Sequence, residues 1–230
     1  MDKILVVCSH PDDEVLGCGG SLLKHKKNKD QINLLYVFEG SSGRYSSKTK
    51  NALSENEKSK RKRKKSAVKV AKFLNVKSIN FLDNENLNSN SQNKNKITNE
   101  LSNIIKKINP TIIYTHSSKD LNIDHRTCNE AVLVAARPNK NSKLKKLLAF
   151  EIPSSTEWSH GIFQNFTPSY YVDIEKFINL KIKILKFYDY ELRKFPHPRS
   201  TENIIALSKL SGSIVGLKNA EKFEVIKIIE

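Results

Sequence analysis

Short apolar runs of strand length alternate along this chain with segments of helical periodicity, and that alternation limits the fold more than any other feature. Residues 4–8, 32–38, 78–82 and 111–115 read as buried strands, rich in Ile, Val, Leu and Phe. Between them, a helical run continues through 22–26, and 55–74 and 97–108 carry charged or amphipathic helical patterns. Strands and helices alternating at these spacings predict an α/β fold: a mostly parallel sheet with helices on both faces and right-handed crossovers. After a helix near 129–136 the order becomes less regular, with strands around 147–152 and 170–174 and helices from about 178 and 201. No composition break marks a boundary, so residues 1–230 are expected to form a single domain.

Composition narrows the class. Hydrophobic residues make up 38% and charged residues 28%, an ordinary globular balance rather than that of a disordered chain. Forty basic against twenty-four acidic side chains give +16, which raises nucleic acid, anionic membranes and acidic glycans as partners. Lys, Asn and Ile are abundant throughout, however, so much of the charge reads as solvated surface. Cys8, Cys18 and Cys128 are odd in number and widely spaced, indicating neither a disulfide framework nor a cysteine zinc site. No run approaches the roughly 18 apolar residues of a membrane span, and the N-terminus lacks a signal-peptide pattern. A cytoplasmic protein is the expectation.

The first strand ends in Ser9-His10-Pro11-Asp12-Asp13-Glu14, at the carboxyl edge where open α/β sheets build ligand sites. Three successive carboxylates repel one another unless a cation is present or one is protonated. One imidazole and one carboxylate leave a tetrahedral metal short of a protein ligand, which another strand end has to supply. The fourth strand is followed by His116, Asp120, Asn122, Asp124 and His125. Helix capping accounts for one acid per helix, such as Asp13 or Asp124. It leaves the acidic crowding and both histidines unexplained. His116 alone reads best as a hydrogen-bonded packing residue.

At these residues the chain resembles the PIG-L/LmbE-like family of metal-dependent de-N-acetylases, whose signature is a His-Pro-Asp-Asp-Glu loop after the first strand. The likeness continues through Gly17-Cys18-Gly19-Gly20, the stretch 120–125, Arg137-Pro138, the stretch 151–155 and His197-Pro198-Arg199-Ser200. It implies a Rossmann-like fold, and a divalent metal, zinc first, held by His10, Asp13 and His125, with Asp12 as general base. Removal of acetyl from an N-acetylated amino sugar or its conjugate is the implied reaction. Many members carry a second histidine where this chain has Asn122, which donates a hydrogen bond but shuttles no proton. Asn122 is therefore expected to orient substrate or oxyanion, and Asp124 to orient a ligand or Asn122.

Substrate contacts are expected from Arg44, which follows the second strand, and from Arg137, His197 and Arg199. The two later arginines could grip hydroxyls or phosphate, or serve as structural ion pairs. Trp158 could stack on a sugar, pack internally or meet another copy in a homo-oligomer. Two alternatives remain open: an amidase acting on a sugar-thiol conjugate, and a nucleic-acid binder using the basic run 60–65. The latter lacks interleaved aromatics and a recognised module, so no specific nucleic-acid partner is expected.

Overall fold

A computed structural model describes residues 1–40, 50–84 and 91–230. The first half alternates as its periodicity dictates: β1 (Lys3–Cys8), α1 (Asp13–Lys27), β2 (Gln31–Phe38), α2 (Lys50–Leu74), β3 (Ser78–Asn84), α3 (Ser91–Ile108), β4 (Ile112–His116) and α4 (Ile123–Ala135). The remainder comprises β5 (Lys146–Phe150), β6 (Tyr170–Asp173), α5 (Ile178–Leu185), α6 (Thr201–Ile214) and β7 (Ala220–Ile228). The sheet runs β3-β2-β1-β4-β5-β7-β6. Its first five strands are parallel, while β7 lies antiparallel to both β5 and β6.

Strand β1 shows why the sheet is covered on both sides. Ile4, Leu5, Val6 and Val7 are all fully buried, an apolar run rather than an alternation. Ile4 and Val6 pack with Leu22 of α1, Val70 and Leu74 of α2 and Ile184 of α5. Leu5 and Val7 point the other way, to Ile97 and Leu101 of α3 and Cys128 and Val132 of α4. Gly17 lets α1 approach β5: a Cβ there would sit 2.4 Å from Cδ2 of Phe150. Among the described residues no helix is long and apolar enough to cross a membrane.

Three expectations shift. Helix α4 begins at Ile123, well before 129, because Asn122 caps it by accepting the Asp124 N–H at 2.8 Å. Helix α1 likewise starts at Asp13, directly behind the acidic loop, and bends at Cys18, whose φ is −143°. Strand β7 was not apparent from the residues, because Glu221 interrupts its apolar pattern. Glu221 is buried, accepting from Gly20 N, Ser21 N, Ser21 Oγ and Lys181 Nζ at 2.6–2.7 Å, and so ties α1 and α5 to the sheet.

Candidate metal and catalytic site

The sheet order reverses between β1 and β4, since β1 is followed outward by β2 and β4 by β5. A crevice therefore opens above their carboxyl ends, where the two His/Asp loops meet. Asp13 stands at its centre. Its Oδ2 accepts from His10 N at 2.8 Å and lies 3.6 Å from His10 Nδ1, 3.3 Å from His116 Nε2 and 3.7 Å from His125 Nε2. Burial pushes its carboxyl up, but the charges of His125, His116 and His10 outweigh that and hold it well below the usual carboxylate range.

His10, Asp13 and His125 are buried and offer one donor atom each within 4.8 Å of one another. Asp13 Oδ1 is buried with no hydrogen-bond partner. A carboxylate oxygen left unpaired in the interior is unfavourable by about 1–3 kcal/mol, more when charged. A divalent cation would relieve it, so the donor set fits a metal of the zinc type. Partners around the set fix its orientation: His10 Nε2 lies 3.0 Å from Asp124 Oδ2, and His125 Nδ1 lies 3.1 Å from Asp120 Oδ2. Asp120 itself accepts from Asn122 N at 2.8 Å, from Thr156 Oγ1 at 2.6 Å and from Ser155 Oγ. Burial would raise its pKa, yet His125 and these donors bring it down to about 2.

His116 packs as its sequence context suggests. It is fully buried, stacks on His125 at 4.0 Å and accepts the Ser9 N–H at Nε2. Burial, then the neighbouring His125, push it down to about 4 against the pull of Asp13. Glu14 turns away from the donor set, accepting from Tyr188 Oη at 2.7 Å and Asp12 N at 3.0 Å. Burial raises it to about 8, which removes one of the three crowded charges near neutral pH.

Asp12 faces the other side of the loop. Its φ of 124° is a conformation that side-chain-bearing residues rarely adopt, strain of about 1–3 kcal/mol that aims its carboxylate into the crevice. Oδ2 accepts from Arg199 Nη1 at 3.0 Å, and Oδ1 lies 3.9 Å from Arg63 Nη1. Burial raises the Asp12 pKa against the pull of Arg199. A cavity of about 200 Å³ is lined by His10, Asp12, Gly40, Arg63, Asn122, His125 and Arg199. Gly40 fits there for two reasons. Its φ is 75°, and a Cβ would meet His10 Cδ2 at 2.9 Å and Arg63 Nη1 at 3.1 Å.

The expected substrate residues separate. Arg199 lines the cavity and bonds Asp12, while His197 stands just behind it, accepting the Arg199 N–H at 3.0 Å. Arg137 is exposed beyond the end of α4, beside Asn109 and Pro110 that precede β4, so this chain alone does not bring it to the cavity. Arg44 lies outside the described residues. Sequence reasoning missed Arg63 and Glu191. Arg63 is buried inside the basic run, donates to Pro11 O at 3.2 Å and pairs with Glu191, which also lies 3.7 Å from Arg199. Of its neighbours, Lys60 pairs with Glu39 at 2.9 Å and Lys64 sits over the ring of Phe81, while the exposed Lys62 lies over Tyr190.

The family model described as PIG-L, GlcNAc-PI de-N-acetylase, matches residues 5–136, more than half of the chain and both of the loops that build this site. The chain belongs to the PIG-L family. Diacetylchitobiose deacetylase of Thermococcus kodakarensis is 27% identical over 194 residues, 81% of this chain and 69% of that protein. Two solved structures share the fold. N,N'-diacetylchitobiose deacetylase of Pyrococcus horikoshii superposes with a TM-score of 0.75 at 17% identity, over 98% of this chain and 84% of that one. A 4-carboxy-2-hydroxymuconate hydratase from Pseudomonas putida gives 0.72 at 20% identity, over 100% and 99%. PIG-L membership thus comes from the sequence match, while the fold by itself accommodates a hydratase as well.

Proposed function

We propose that this PIG-L member is a metal-dependent hydrolase that removes the acetyl group from an N-acetylated amino sugar or its conjugate. The observation that carries this reading is the convergence of His10, Asp13 and His125 within 4.8 Å beside Asp12, with Asp13 Oδ1 unpaired. The deacetylases of Thermococcus and Pyrococcus named above supply the substrate class. His10, Asp13 and His125 would hold the cation, zinc first, although a mixed imidazole and carboxylate set also accepts iron, cobalt, nickel or manganese. When bound, such a cation supplies Lewis-acid chemistry, polarising the acetyl carbonyl and lowering the pKa of a water from 15.7 toward ~7.

The chain's own groups do the rest. Arg199 fixes Asp12 Oδ2, leaving Oδ1 to take a proton from the water that attacks the carbonyl carbon. Burial raises the affinity of Asp12 for that proton, and the same carboxyl returns it to the sugar nitrogen as the C–N bond breaks. Acetate and the free amine leave. Asn122 lines the cavity and its Oδ1 accepts the Asp124 N–H, which leaves its amide nitrogen as the donor that would serve the developing oxyanion. Asp124 and Asp120 hold the rings of His10 and His125.

An amidase for a sugar-thiol conjugate would use the same groups, and only substrates separate it. Against the nucleic-acid reading, Lys60 and Arg63 of the basic run are paired with Glu39 and Glu191, which leaves Arg61, Lys62 and Lys65 as its exposed cations. The test is acetate release and metal content with a panel of N-acetylated amino sugars and sugar-thiol conjugates. Acetate released only by metal-loaded protein supports the reading; protein that binds no divalent metal and releases no acetate overturns it.

A further inference from the structure

We propose that Trp158 and His197 form a saccharide platform at the rim of the catalytic cavity, stacking on the ring whose acetamido group reaches Asp12. The inference rests on the deacetylase reading above and names the subsite that selects a sugar. Arg199 connects the platform to the chemistry. Its Nη1 holds Asp12, its Nε donates to Pro153 O at 3.2 Å and Ser154 Oγ at 2.9 Å, and its N–H binds His197 Nδ1. The Arg199 guanidinium therefore joins Asp12 to the loop carrying Trp158, while the Arg199 backbone N–H holds the His197 ring. The two rings meet edge to face, with centroids 5.7 Å apart.

Trp158 is 40% exposed, and it is linked to the cavity through His197 and Arg199 rather than lining it. The segment that bears it is fixed in advance: the adjacent Glu157 carboxylate accepts from Ser154 N at 2.6 Å and Ser155 N at 3.2 Å. A pinned, partly open aromatic loses little entropy when a ligand covers it. Pyranose rings present C–H faces between their hydroxyls, a chemistry that suits an indole with a neighbouring imidazole. Partial burial, then Arg193 and Arg199, lower the His197 pKa and so favour the neutral imidazole.

Trp158 is the chain's only tryptophan, so its fluorescence reports on this position alone. Full-length metal-loaded protein is titrated with N,N'-diacetylchitobiose, and with N-ethylacetamide as an amide lacking a ring. The expected result is a saturable spectral shift with the saccharide and none with the simple amide. Trp158→Ala should raise KM for the saccharide roughly five- to tenfold with kcat within about twofold, while Trp158→Phe recovers most of the loss. Saccharide hydrolysis with an unmoved spectrum and unchanged KM in Trp158→Ala overturns the platform and leaves the deacetylase reading standing. A saturable shift without acetate release supports the platform and sinks that reading. Emission that follows protein concentration rather than saccharide means a second copy covers Trp158, which also overturns the proposal.

Discussion

The two edges of the sheet both carry histidine and aspartate, and they use them differently. At the amino edge, His25 Nδ1 lies 2.8 Å from Asp30 Oδ2 and its Nε2 lies 3.0 Å from Tyr114 Oη, while Asp30 Oδ1 accepts the Asp2 N–H at 2.8 Å. Both ring nitrogens and both carboxylate oxygens are partnered. At the carboxyl edge three imidazoles surround one carboxylate, and Asp13 Oδ1 has no hydrogen-bond partner. Cavity size points the wrong way, since the pocket at the amino edge holds about 350 Å³ against about 200 Å³ at the site. The larger pocket rests on Ile105, Ile113, Ala135 and Leu144 and gathers no carboxylates. Unsatisfied, convergent donors distinguish the functional edge, not the presence of His/Asp pairs or of space.

Matching histidine deletions put the largest effect on that contrast. His125→Ala should lose bound metal and drop roughly 10³-fold in kcat/KM. His25→Ala should keep metal and turnover while losing about 1–3 kcal/mol of stability, because the buried Tyr114 hydroxyl loses its partner. Asp12→Ala completes the set, retaining metal while kcat falls by about 10²–10⁴. Metal analysis, acetate assays and urea melts read all three variants. A turnover loss in His25→Ala equal to that in His125→Ala would erase the distinction between the edges.

Chelation examines the same difference without mutation. A cation bound at 100 times its Kd adds about 2.7 kcal/mol, so stripping it should lower Tm by roughly 5–10 °C and abolish acetate release. Restoring zinc should recover both. In His125→Ala the chelator should leave Tm where it was, and a further fall there would place the cation outside the three named ligands.

The alternation of strands and helices, the acidic loop and the stretch 120–125 were legible because each is local, in periodicity or in a chemically unusual run. What stayed hidden depends on packing. Arg63 is one of six consecutive cations, and only the approach of α2 to Pro11 and Glu191 sets it apart. Glu191 lies in an irregular 3-10 stretch with no periodic signal. Asp120 and Asp124 were visible as acids near His125, but which imidazole each one orients follows from loop geometry that spacing does not encode. Gly40 carried a signal, a glycine in the loop after a strand, whose reason lies in the neighbouring His10 and Arg63 side chains.

Gly40→Ala therefore sharpens the comparison at intermediate size. The added methyl must displace His10 or Arg63 and holds a positive φ, so about 1–3 kcal/mol of stability should go. The displaced groups should also lower kcat/KM about 10- to 100-fold, since sub-ångström placement of reacting groups matters at that scale. A stability loss with unchanged kinetics would mean that His10 recovers its position and that the glycine serves folding alone.

The smallest effect falls on Arg137. The motif Arg137-Pro138 resembles a family feature, yet the side chain stands at the amino edge, in the wall of the larger pocket. Arg137→Ala should change stability by less than about 0.5 kcal/mol and leave KM for the sugar within error. Assays across protein concentration make the outcome informative. If KM rises, the amino edge of one chain must serve the cavity of another, because α4 separates Arg137 from His125 within a single chain. That dependence should then weaken on dilution, as copies part, and the line between a structural edge and a functional edge would hold only for the isolated chain.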